Sequence, residues 1–388
     1  MSDLPFLPYA RQSIEDDDVE AVVRVLRSAH LTSGPEIPAF EDALAAAVGS
    51  PWAVALSSGT AALHAACIAV ELGPGDEVIV PAVTFVATAN CARFVGAEPI
   101  FADVHPDTGL IDPDDVRRRL TNRTRAIIAV HLGGATADMP ALAAMASAAN
   151  AVLIEDAAHA LGASRDGEPV GSCRRGSAMA TFSFHPVKHI ATGEGGAVTG
   201  VDPALRDRLR LARDHGIVRE AAGSSAPSPG PWYYEQQLLG HNLRLTDIQA
   251  ALGRSQLAKR DRFLARRRSL AARYLSRLDS VEGVVPVVPP AASRECAYHL
   301  FAVRIDFARR GVTRAEVMRR LREKGVGSQV HYIPVPAQPY YRARGWALDA
   351  FPGARAYYDH TLSLPMFAAM NDSDVDRVVA ALAEALEP

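Results

Sequence analysis

The chain has 388 residues, of which 48% are hydrophobic and 22% are charged, and its formal net charge is −3. This length and composition are typical of a soluble protein with two domains and a large buried core. The nearly balanced charge excludes a global field that would attract nucleic acid or an anionic membrane surface. No apolar run approaches the ~18–20 residues that a membrane span requires.

The four cysteines are far apart, at positions 67, 91, 173 and 296. They form no Cys-x-x-Cys pair, which disfavours a zinc site or a disulfide framework and favours a reducing compartment. The segment Met1 to Pro5 lacks the basic and apolar regions of a signal peptide. We therefore expect a cytoplasmic protein with no membrane or nucleic-acid partner.

Short apolar runs alternate with helix-like segments between about residues 50 and 215. The runs are rich in Val, Ile and Ala and are largely unalternated, as expected for strands covered on both faces. The predicted strands are 53–56, 77–80, 99–104, 126–131, 151–155, 178–184 and 196–199, and helical patterns include 61–71, 86–95 and 139–149. This pattern predicts an α/β fold with a mostly parallel seven-stranded sheet and helices on both faces. Ligands of such sheets bind outside the carboxyl ends of the strands.

The C-terminal part has a different, α+β pattern. Residues 222–231 predict a loop by composition, and Thr246 to Gln249 is a capping box that opens a long helix. Predicted elements follow at 299–305 (strand), 314–324 (helix), 328–333 (strand) and 372–386 (helix). We predict that residues 1–245 form an N-terminal segment and a large α/β domain, and that residues 246–388 form the long helix and a smaller α+β domain.

The long helix carries two basic runs, at 259–262 and 266–268. Charged runs on helices are usually solvated faces, and this is the interpretation that we prefer. A phosphate-binding role is the alternative.

The sequence Ser57-Ser58-Gly59-Thr60 joins a predicted strand to a predicted helix. Glycine permits close approach of a backbone, and a helix N-terminus offers free N–H groups and the positive end of the dipole. The segment therefore has two interpretations, an anion-binding site or an N-cap formed by Ser58 or Thr60. It is not a P-loop, because no Gly-Lys-Ser/Thr follows.

Lys188 lies between an apolar run that ends at Phe184 and a glycine-rich turn. Desolvation at such a position favours the neutral, nucleophilic amine. Asp156 ends the apolar run 151–155, where a buried carboxylate requires a partner. A nucleophilic lysine and a carboxylate for a pyridinium nitrogen are the minimum equipment for pyridoxal phosphate (PLP) chemistry. The alternatives are a solvated lysine, and a salt bridge or helix cap for Asp156.

Two further features have both a functional and a structural interpretation. Phe85 follows the second predicted strand and would either stack on an aromatic ring or fill the core. His185 and His189 have the i, i+4 spacing of metal ligands on a helix, but Pro186 and the nearby glycines disfavour a regular helix. Since no third ligand is evident, we expect no metal site.

Four motifs occur in order along nearly the whole chain. They are SSGTAAL (57–63), EDAAH (155–159), FSFHPVKHIATGEGG (182–196) and GHNLRLTDIQ (240–249). Together they resemble the sugar-nucleotide aminotransferases of the DegT/DnrJ/EryC1/StrS family. The resemblance implies a fold-type I PLP-dependent transferase that forms a homodimer, with active sites at the subunit interface.

The resemblance also implies roles around the cofactor ring. Lys188 would form the Schiff base and act in catalysis, Asp156 would pair with the pyridine nitrogen, and Phe85 would stack on the ring. His159 would lie near the phenolic oxygen, where the family carries Gln or His. Some relatives replace the lysine with histidine and dehydrate sugars, so the presence of Lys188 favours transamination.

The phosphate end of the cofactor is implied in the same way. Thr60, the Gly59 backbone and Ser183 would hold the phosphate. Asn242 would reach it from the partner subunit.

A closer resemblance is to the branch that makes UDP-4-amino-4,6-dideoxy-N-acetyl-β-L-altrosamine for pseudaminic acid. The matching segments are 84–90, 184–190, 232–237 and 329–332. The implied substrate-binding residues are Tyr9, Ala29, His30, Leu31, Thr32, Ser57, His331 and Tyr332. Ala191 stands where threonine is usual, and 241–243 varies a common Tyr-Asn-Tyr, so other sugars stay as alternatives.

The implied activity is the transfer of an amino group from L-glutamate to a 4-keto-6-deoxy sugar nucleotide, of the UDP-4-keto-6-deoxy-N-acetyl-β-L-altrosamine type. The alternatives are another keto sugar nucleotide, linked to dTDP or GDP or aminated at C3, and a PLP-binding regulator without turnover. A dinucleotide-dependent dehydrogenase is disfavoured, because no Gly-x-Gly-x-x-Gly follows a strand. The candidate cations for the substrate diphosphate are Arg174, Arg175 and the group 266–268.

Overall fold

The computed structural model describes residues 5–219 and 228–387, so residues 222–227 of the predicted loop lie outside the described part. The strands are β1 (Trp52–Leu56), β2 (Glu77–Pro81), β3 (Glu98–Ala102), β4 (Thr124–Val130), β5 (Val152–Asp156), β6 (Ser164–Arg165), β7 (Glu168–Pro169), β8 (Met179–Ser183), β9 (Gly196–Gly200), β10 (Ile217–Val218), β11 (Glu235–Gln236), β12 (Val284–Pro286), β13 (Phe301–Ile305) and β14 (Thr361–Leu364). The α-helices are α1 (Asp16–Leu26), α2 (Glu36–Val48), α3 (Gly59–Ala69), α4 (Ala87–Phe94), α5 (Pro113–Arg119), α6 (Met139–Ala148), α7 (Pro203–Arg213), α8 (Asp247–Ala258), α9 (Arg260–Leu278), α10 (Arg314–Glu323), α11 (Pro339–Arg342), α12 (Pro352–His360) and α13 (Asp372–Ala385).

The central sheet has seven strands in the order β1-β9-β8-β5-β4-β2-β3. The β2–β3, β2–β4, β4–β5 and β5–β8 pairs are parallel, and β9 runs antiparallel to both β8 and β1. Each predicted strand of this sheet is present within two residues of its expected bounds, which confirms the mostly parallel α/β fold. Its strands were predictable because a sheet buried on both faces requires continuous apolar runs.

Apolar clusters cover both faces of this sheet. One contains residues of β1, β2, α3 and α4, with Phe101 and Tyr357 among its large side chains. On the other face, Phe40, Leu44 and Phe182 belong to a second cluster and Ile127 and Leu142 to a third. This packing holds the strands rigidly, so that side chains at their carboxyl ends keep fixed positions.

The C-terminal part has its own core around a three-stranded sheet in the order β12-β13-β14. Tyr274 of α9 stacks on Phe301 of β13 at a ring distance of 4.4 Å, and α10 and α13 complete the cluster. The helix α8 packs instead against α1 and α2 of the N-terminal part. The boundary between residues 245 and 246 stays a prediction.

Two C-terminal expectations are corrected. Residues 328–333 do not form the predicted strand, because Gln329 makes only one isolated bridge, to Ser363, and residues 330–333 turn to line a cavity. The strands that pair with β13 are β12 and β14, and the sequence pattern revealed neither of them.

The predicted long helix is two helices, which meet at Lys259. The capping box at Thr246 is present and opens α8 as predicted. The Lys259 ammonium is buried and pairs with Asp17 at 2.5 Å and Asp18 at 2.7 Å. This ion pair fastens the N-terminal helix α1 to the junction of the two helices.

The solvated-face interpretation of the basic runs is wrong for Arg267, which is 2% exposed. Its Nη1 donates to the carbonyl oxygens of Tyr298, His299 and Met366 at 3.0–3.3 Å. Periodicity did not predict this burial, because the partners are main-chain oxygens from distant segments.

Among the described helices, none combines the length and apolar character needed to cross a bilayer.

Candidate active site

A cavity of about 700 Å³ lies at the carboxyl ends of the parallel strands. It is lined by ten of the residues that the sequence marked as site residues: Tyr9, Gly59, Thr60, Phe85, Asp156, His159, Ser183, Lys188, His331 and Tyr332. Residues from both ends of the chain therefore meet in one place. The N-terminal segment reaches it because Leu7 bridges to Val326, next to the segment that carries His331.

The other predicted site residues do not line this cavity in the single chain. Residues 29–32 are exposed, and the carbonyl oxygen of Leu31 accepts a hydrogen bond from the amide of Asp247 at 3.0 Å. Ser57 donates its amide to the carbonyl oxygen of Leu243 at 2.8 Å, and the neighbouring Asn242 is exposed. These roles stay predictions, and that of Asn242 concerns a partner subunit.

The N-terminus of α3 provides an anion site at one end of the cavity. Ser58 is the N-cap, and its Oγ accepts the amide of Ala61 at 3.1 Å. The amides of Gly59 and Thr60 have no acceptor among the described residues and belong to the unpaired first turn. A Cβ on Gly59 would lie 2.8 Å from Ser183 Cβ, so only glycine fits this approach. The segment is thus both an N-cap and a cradle suited to a phosphate.

Asp156 ends β5 and is buried. Its Oδ2 accepts the Thr88 hydroxyl at 2.7 Å, and its Oδ1 accepts the amide of Ala158 at 3.2 Å. Burial raises the pKa of this carboxyl above its usual 3.8, although the Thr88 hydrogen bond opposes the shift. Among the described residues this carboxylate forms no ion pair, and the charge of Lys188 acts on it only from beyond salt-bridge distance.

Lys188 is partly buried in the cavity and carries an amine with altered basicity. Desolvation lowers the pKa of Lys188 to about 8, against the opposing attraction of Asp156. Its Nζ lies 3.4 Å from His299 Nε2 and has no other hydrogen-bond partner in the described chain. A larger fraction of this amine is therefore uncharged near neutral pH than for a surface lysine.

A histidine and a tyrosine form a fixed hydrogen-bonded pair on the cavity wall. The Gly133 amide donates to His159 Nδ1 at 3.3 Å, which places the ring proton on Nε2. That nitrogen then donates to the Tyr332 hydroxyl oxygen at 3.1 Å. Burial holds the pKa of His159 well below 6.5 and raises the pKa of Tyr332. Both groups are neutral, and the Tyr332 O–H is left to donate to a ligand.

Phe85 is 55% exposed, and the centroid of its ring lies 6.0 Å from the centroid of the Tyr332 ring. Its ring lines the cavity and is not a core side chain, which favours the stacking interpretation over the core one.

The histidines at positions 185 and 189 do not act together. His185 lines the cavity and is exposed, whereas His189 is buried and bonds to the carbonyl oxygen of Ala297 at 2.9 Å. No group of three or more potential metal ligands occurs within residues 5–219 and 228–387.

The arginines proposed for the substrate diphosphate lie elsewhere in the chain. Arg174 and Arg175 line a separate small pocket with Glu155, and no arginine lines the main cavity in the described residues. Arg266 and Arg268, like Arg267, donate to main-chain carbonyls.

The sequence analysis assigned no role to Thr88 and His299, the cavity residues that bond to Asp156 and Lys188. Thr88 lay inside a motif that carried the resemblance, but nothing indicated its bond to Asp156. His299 precedes β13, and the sequence contains no signal that brings it to Lys188.

These features fit PLP. The first-turn amides of α3 suit its phosphate, the buried carboxyl of Asp156 suits a protonated pyridine nitrogen, and Phe85 offers an aromatic face. Lys188 supplies the amine that would hold the aldehyde.

Comparison with known proteins agrees with this geometry. Residues 12–383 match the DegT/DnrJ/EryC1/StrS aminotransferase family. The chain is 40% identical over 379 residues to the spore coat polysaccharide biosynthesis protein SpsC of Bacillus subtilis (strain 168), covering 97% of this chain and 96% of SpsC.

Two solved structures are similar over nearly their full length. Spr1654 of Streptococcus pneumoniae, in its PMP form, has a TM-score of 0.89 at 30% identity, with 99% of each chain covered. PseC of Helicobacter pylori, an aminotransferase involved in the biosynthesis of pseudoaminic acid, has a TM-score of 0.89 at 27% identity, with 98% of this chain and 99% of PseC covered. The chain belongs to the DegT/DnrJ/EryC1/StrS aminotransferase family, and it is a PLP-dependent sugar aminotransferase.

Proposed function

We propose that this protein transfers an amino group from L-glutamate to the C4 keto group of a nucleotide-linked 6-deoxy sugar. The observation that carries the proposal is the pairing of a low-pKa Lys188 with a buried Asp156 in one cavity. The cavity volume of about 700 Å³ is in the range of small-molecule sites.

Each residue has a task in the proposed reaction. PLP, when bound, supplies an electron sink for the bond that breaks at the amino acid Cα. Asp156 would hold the proton on the pyridine nitrogen, and the amides of Gly59 and Thr60 would bind the phosphate. Lys188 would hold the aldehyde carbon and, as a free amine, would act as the base that moves a proton between Cα and C4′. Its pKa of about 8 suits this task, because a base acts best when its pKa is near the working pH.

The tyrosine and histidine on the cavity wall favour an oxygen-rich substrate. Tyr332 accepts a hydrogen bond from His159, so its own O–H is available to a sugar or carbonyl oxygen. The His331 ring lies near Tyr9, at 5.6 Å, and gives the same end of the cavity a second polar wall. We assign substrate binding to Tyr9, His331 and Tyr332 on this basis.

For the sugar itself, we propose a pseudaminic-type substrate, UDP-4-keto-6-deoxy-N-acetyl-β-L-altrosamine. The similarity to PseC over nearly the whole chain supports this choice. The higher identity to SpsC favours a second candidate, a keto sugar nucleotide that is aminated for a polysaccharide.

We further propose a homodimer with shared active sites. Trp232 and Leu239, which are 72% and 82% exposed, precede the exposed Asn242 in the chain. A partner surface that covers these apolar side chains would also bring Asn242 and residues 29–32 to the neighbouring cavity.

The test is an assay of purified PLP-loaded protein with L-glutamate and a panel of keto sugar nucleotides. The panel contains UDP-, dTDP- and GDP-linked 4-keto-6-deoxy sugars and a 3-keto sugar. We expect amination of a 4-keto compound with ping-pong kinetics. Conversion of the 3-keto sugar alone would contradict the C4 assignment. If glutamate failed to convert the bound PLP to its amino form, the alternative of a PLP-binding regulator without turnover would be favoured.

A further inference from the structure

His299 lines the cavity from the segment that precedes β13, and its side chain is buried. Its Nε2 faces the Lys188 amine at 3.4 Å, and that amine has no second partner among the described residues. Catalytic hydrogen bonds are often this long before the ligand binds. The free amine, the form in which Lys188 must move a proton, is therefore oriented by this imidazole.

The hydrogen bonding of His299 differs from that of two other buried histidines, His131 and His159. His131 accepts the Ala137 amide at Nδ1 and bonds to Glu155 through Nε2, and both ring nitrogens of His159 are paired as well. By contrast, His299 Nδ1 is buried without a partner in the described chain. Because an unpaired buried polar atom destabilises the fold, hydrogen bonding within the fold does not account for a histidine at this position.

The surroundings of His299 keep it uncharged. Burial, the Lys188 charge and the neighbouring histidines hold the pKa of His299 well below 6.5, and Arg267 adds to the effect. A neutral imidazole nitrogen can accept a hydrogen bond from the lysine amine. It stabilises the charged ammonium form much less than a carboxylate would. It orients Lys188 and leaves the amine available as a base.

The backbone of this residue is fixed from behind. Arg267 Nη1 donates to the carbonyl oxygen of His299 at 3.3 Å and to that of Tyr298 at 3.1 Å. The ring of His299 also packs on the ring of His159 at 4.3 Å. The imidazole therefore has a defined position before any ligand arrives.

We propose that His299 is a positioning residue for Lys188: its Nε2 accepts a hydrogen bond from the Nζ while the Nζ lone pair takes the proton from the amino acid Cα. The same proton is then delivered to C4′, so the lysine ends the step unchanged and His299 neither gains nor loses a proton. The proposal deepens the proposed function, because it rests on the role of Lys188 as the base.

The first test measures the basicity of Lys188 in PLP-free protein. Trace acetylation across pH, read by mass spectrometry of the Lys188 peptide, gives the amine pKa in wild type, His299→Gln and His299→Leu. The titratable groups facing this amine are Asp156, His159, His189, His299 and His331. We expect the pKa to fall in His299→Leu, which loses the acceptor, and to stay near wild type in His299→Gln.

The second test follows the glutamate half-reaction in the PLP-loaded enzyme. We expect His299→Leu to slow it roughly 10- to 100-fold with a larger deuterium isotope effect from Cα-deuterated glutamate. His299→Gln should restore most of the rate. The control is His131→Leu, which alters a buried histidine that bonds to Glu155 and Ala137 outside the cavity. Its isotope effect should equal that of wild type.

The outcomes separate this proposal from the broader one. An unchanged Lys188 pKa in His299→Leu, or an isotope effect equal to that of His131→Leu, would overturn the positioning role. A wild-type protein that glutamate does not convert would instead defeat the proposed function, while the acetylation experiment would still decide about His299.

Discussion

Glu155 and Asp156 are consecutive residues of β5, yet their carboxylates face different surroundings. Because side chains of a strand alternate between its faces, Glu155 lies at a small pocket behind the sheet and Asp156 lies in the main cavity. Glu155 is bonded to His131 at 2.9 Å and to the Ser177 hydroxyl. Asp156 accepts hydrogen bonds from only one hydroxyl and one amide, and burial raises the pKa of its carboxyl group.

The comparison separates a structural carboxylate from a functional one. The chain satisfies Glu155 with its own side chains, so this residue stabilises the folded state. Asp156 forms no ion pair within the described chain, and the pyridinium nitrogen of PLP would supply that partner. A substitution of Asp156 should therefore mainly lower turnover, and a substitution of Glu155 should mainly lower the stability of the fold.

The largest effect on turnover is expected for Lys188→Ala. This change removes both the amine that binds PLP and the base, so steady-state amino transfer should fall by at least about 10⁴-fold. The control is Lys259→Ala, which breaks the ion pairs with Asp17 and Asp18 outside the cavity. It should lower the melting temperature while turnover at 25 °C is retained.

Asp156→Asn should be next, with turnover about 10²- to 10³-fold lower, because the ring nitrogen loses its negative partner. The same change should stabilise the PLP-free protein at neutral pH. The folded pKa of Asp156 lies above 3.8, so this carboxyl stabilises the fold below that pH and loses its contribution as the pH rises through the folded pKa. Urea unfolding of PLP-free protein at pH 7 and at pH 3.5 measures the difference. A variant less stable than wild type at pH 7 would contradict the assigned desolvation.

A smaller loss is expected for Thr88→Val. Thr88 donates to Asp156, and Thr84 in turn donates to Thr88 at 2.8 Å. Removal of the hydroxyl should raise the pKa of Asp156 further, lower turnover several-fold and cost about 1 kcal/mol of stability. Turnover against pH is the measurement, and Thr88→Ser, which keeps the donor, is the matched control.

The smallest effect on turnover is expected for Glu155→Gln. The change weakens the bonds to His131 and Ser177 in a buried site, so we expect the free energy of unfolding to fall by about 1–3 kcal/mol. Urea unfolding and the steady-state assay are measured on the same sample. A loss of turnover as large as that of Asp156→Asn would remove the distinction between the two carboxylates.

Most of the large domain could be predicted from the sequence because its signals are local. Continuous apolar runs marked the seven strands, and Ser57, Asp156 and His185, which follow predicted strands, marked the edge where a ligand was expected. Asp156 could be predicted because it directly follows the run 151–155, and Lys188 because it lies between the run that ends at Phe184 and a glycine-rich turn.

The remainder depends on contacts between distant segments. Residues 328–333 were predicted to form a strand, but tertiary packing turns residues 330–333 into part of the cavity wall. Arg267 is a basic helix residue whose burial depends on carbonyls from 298–299 and Met366. His299 and Lys188 are 111 residues apart in the sequence, and no local sequence pattern indicates that they meet in the fold.

Borohydride reduction of the PLP-loaded protein, followed by peptide mapping, tests the central claim most directly. The account predicts that the reduced cofactor is found on the peptide that contains Lys188, in wild type and in Glu155→Gln alike. Attachment to another lysine, or no attachment in folded protein saturated with PLP, would contradict it.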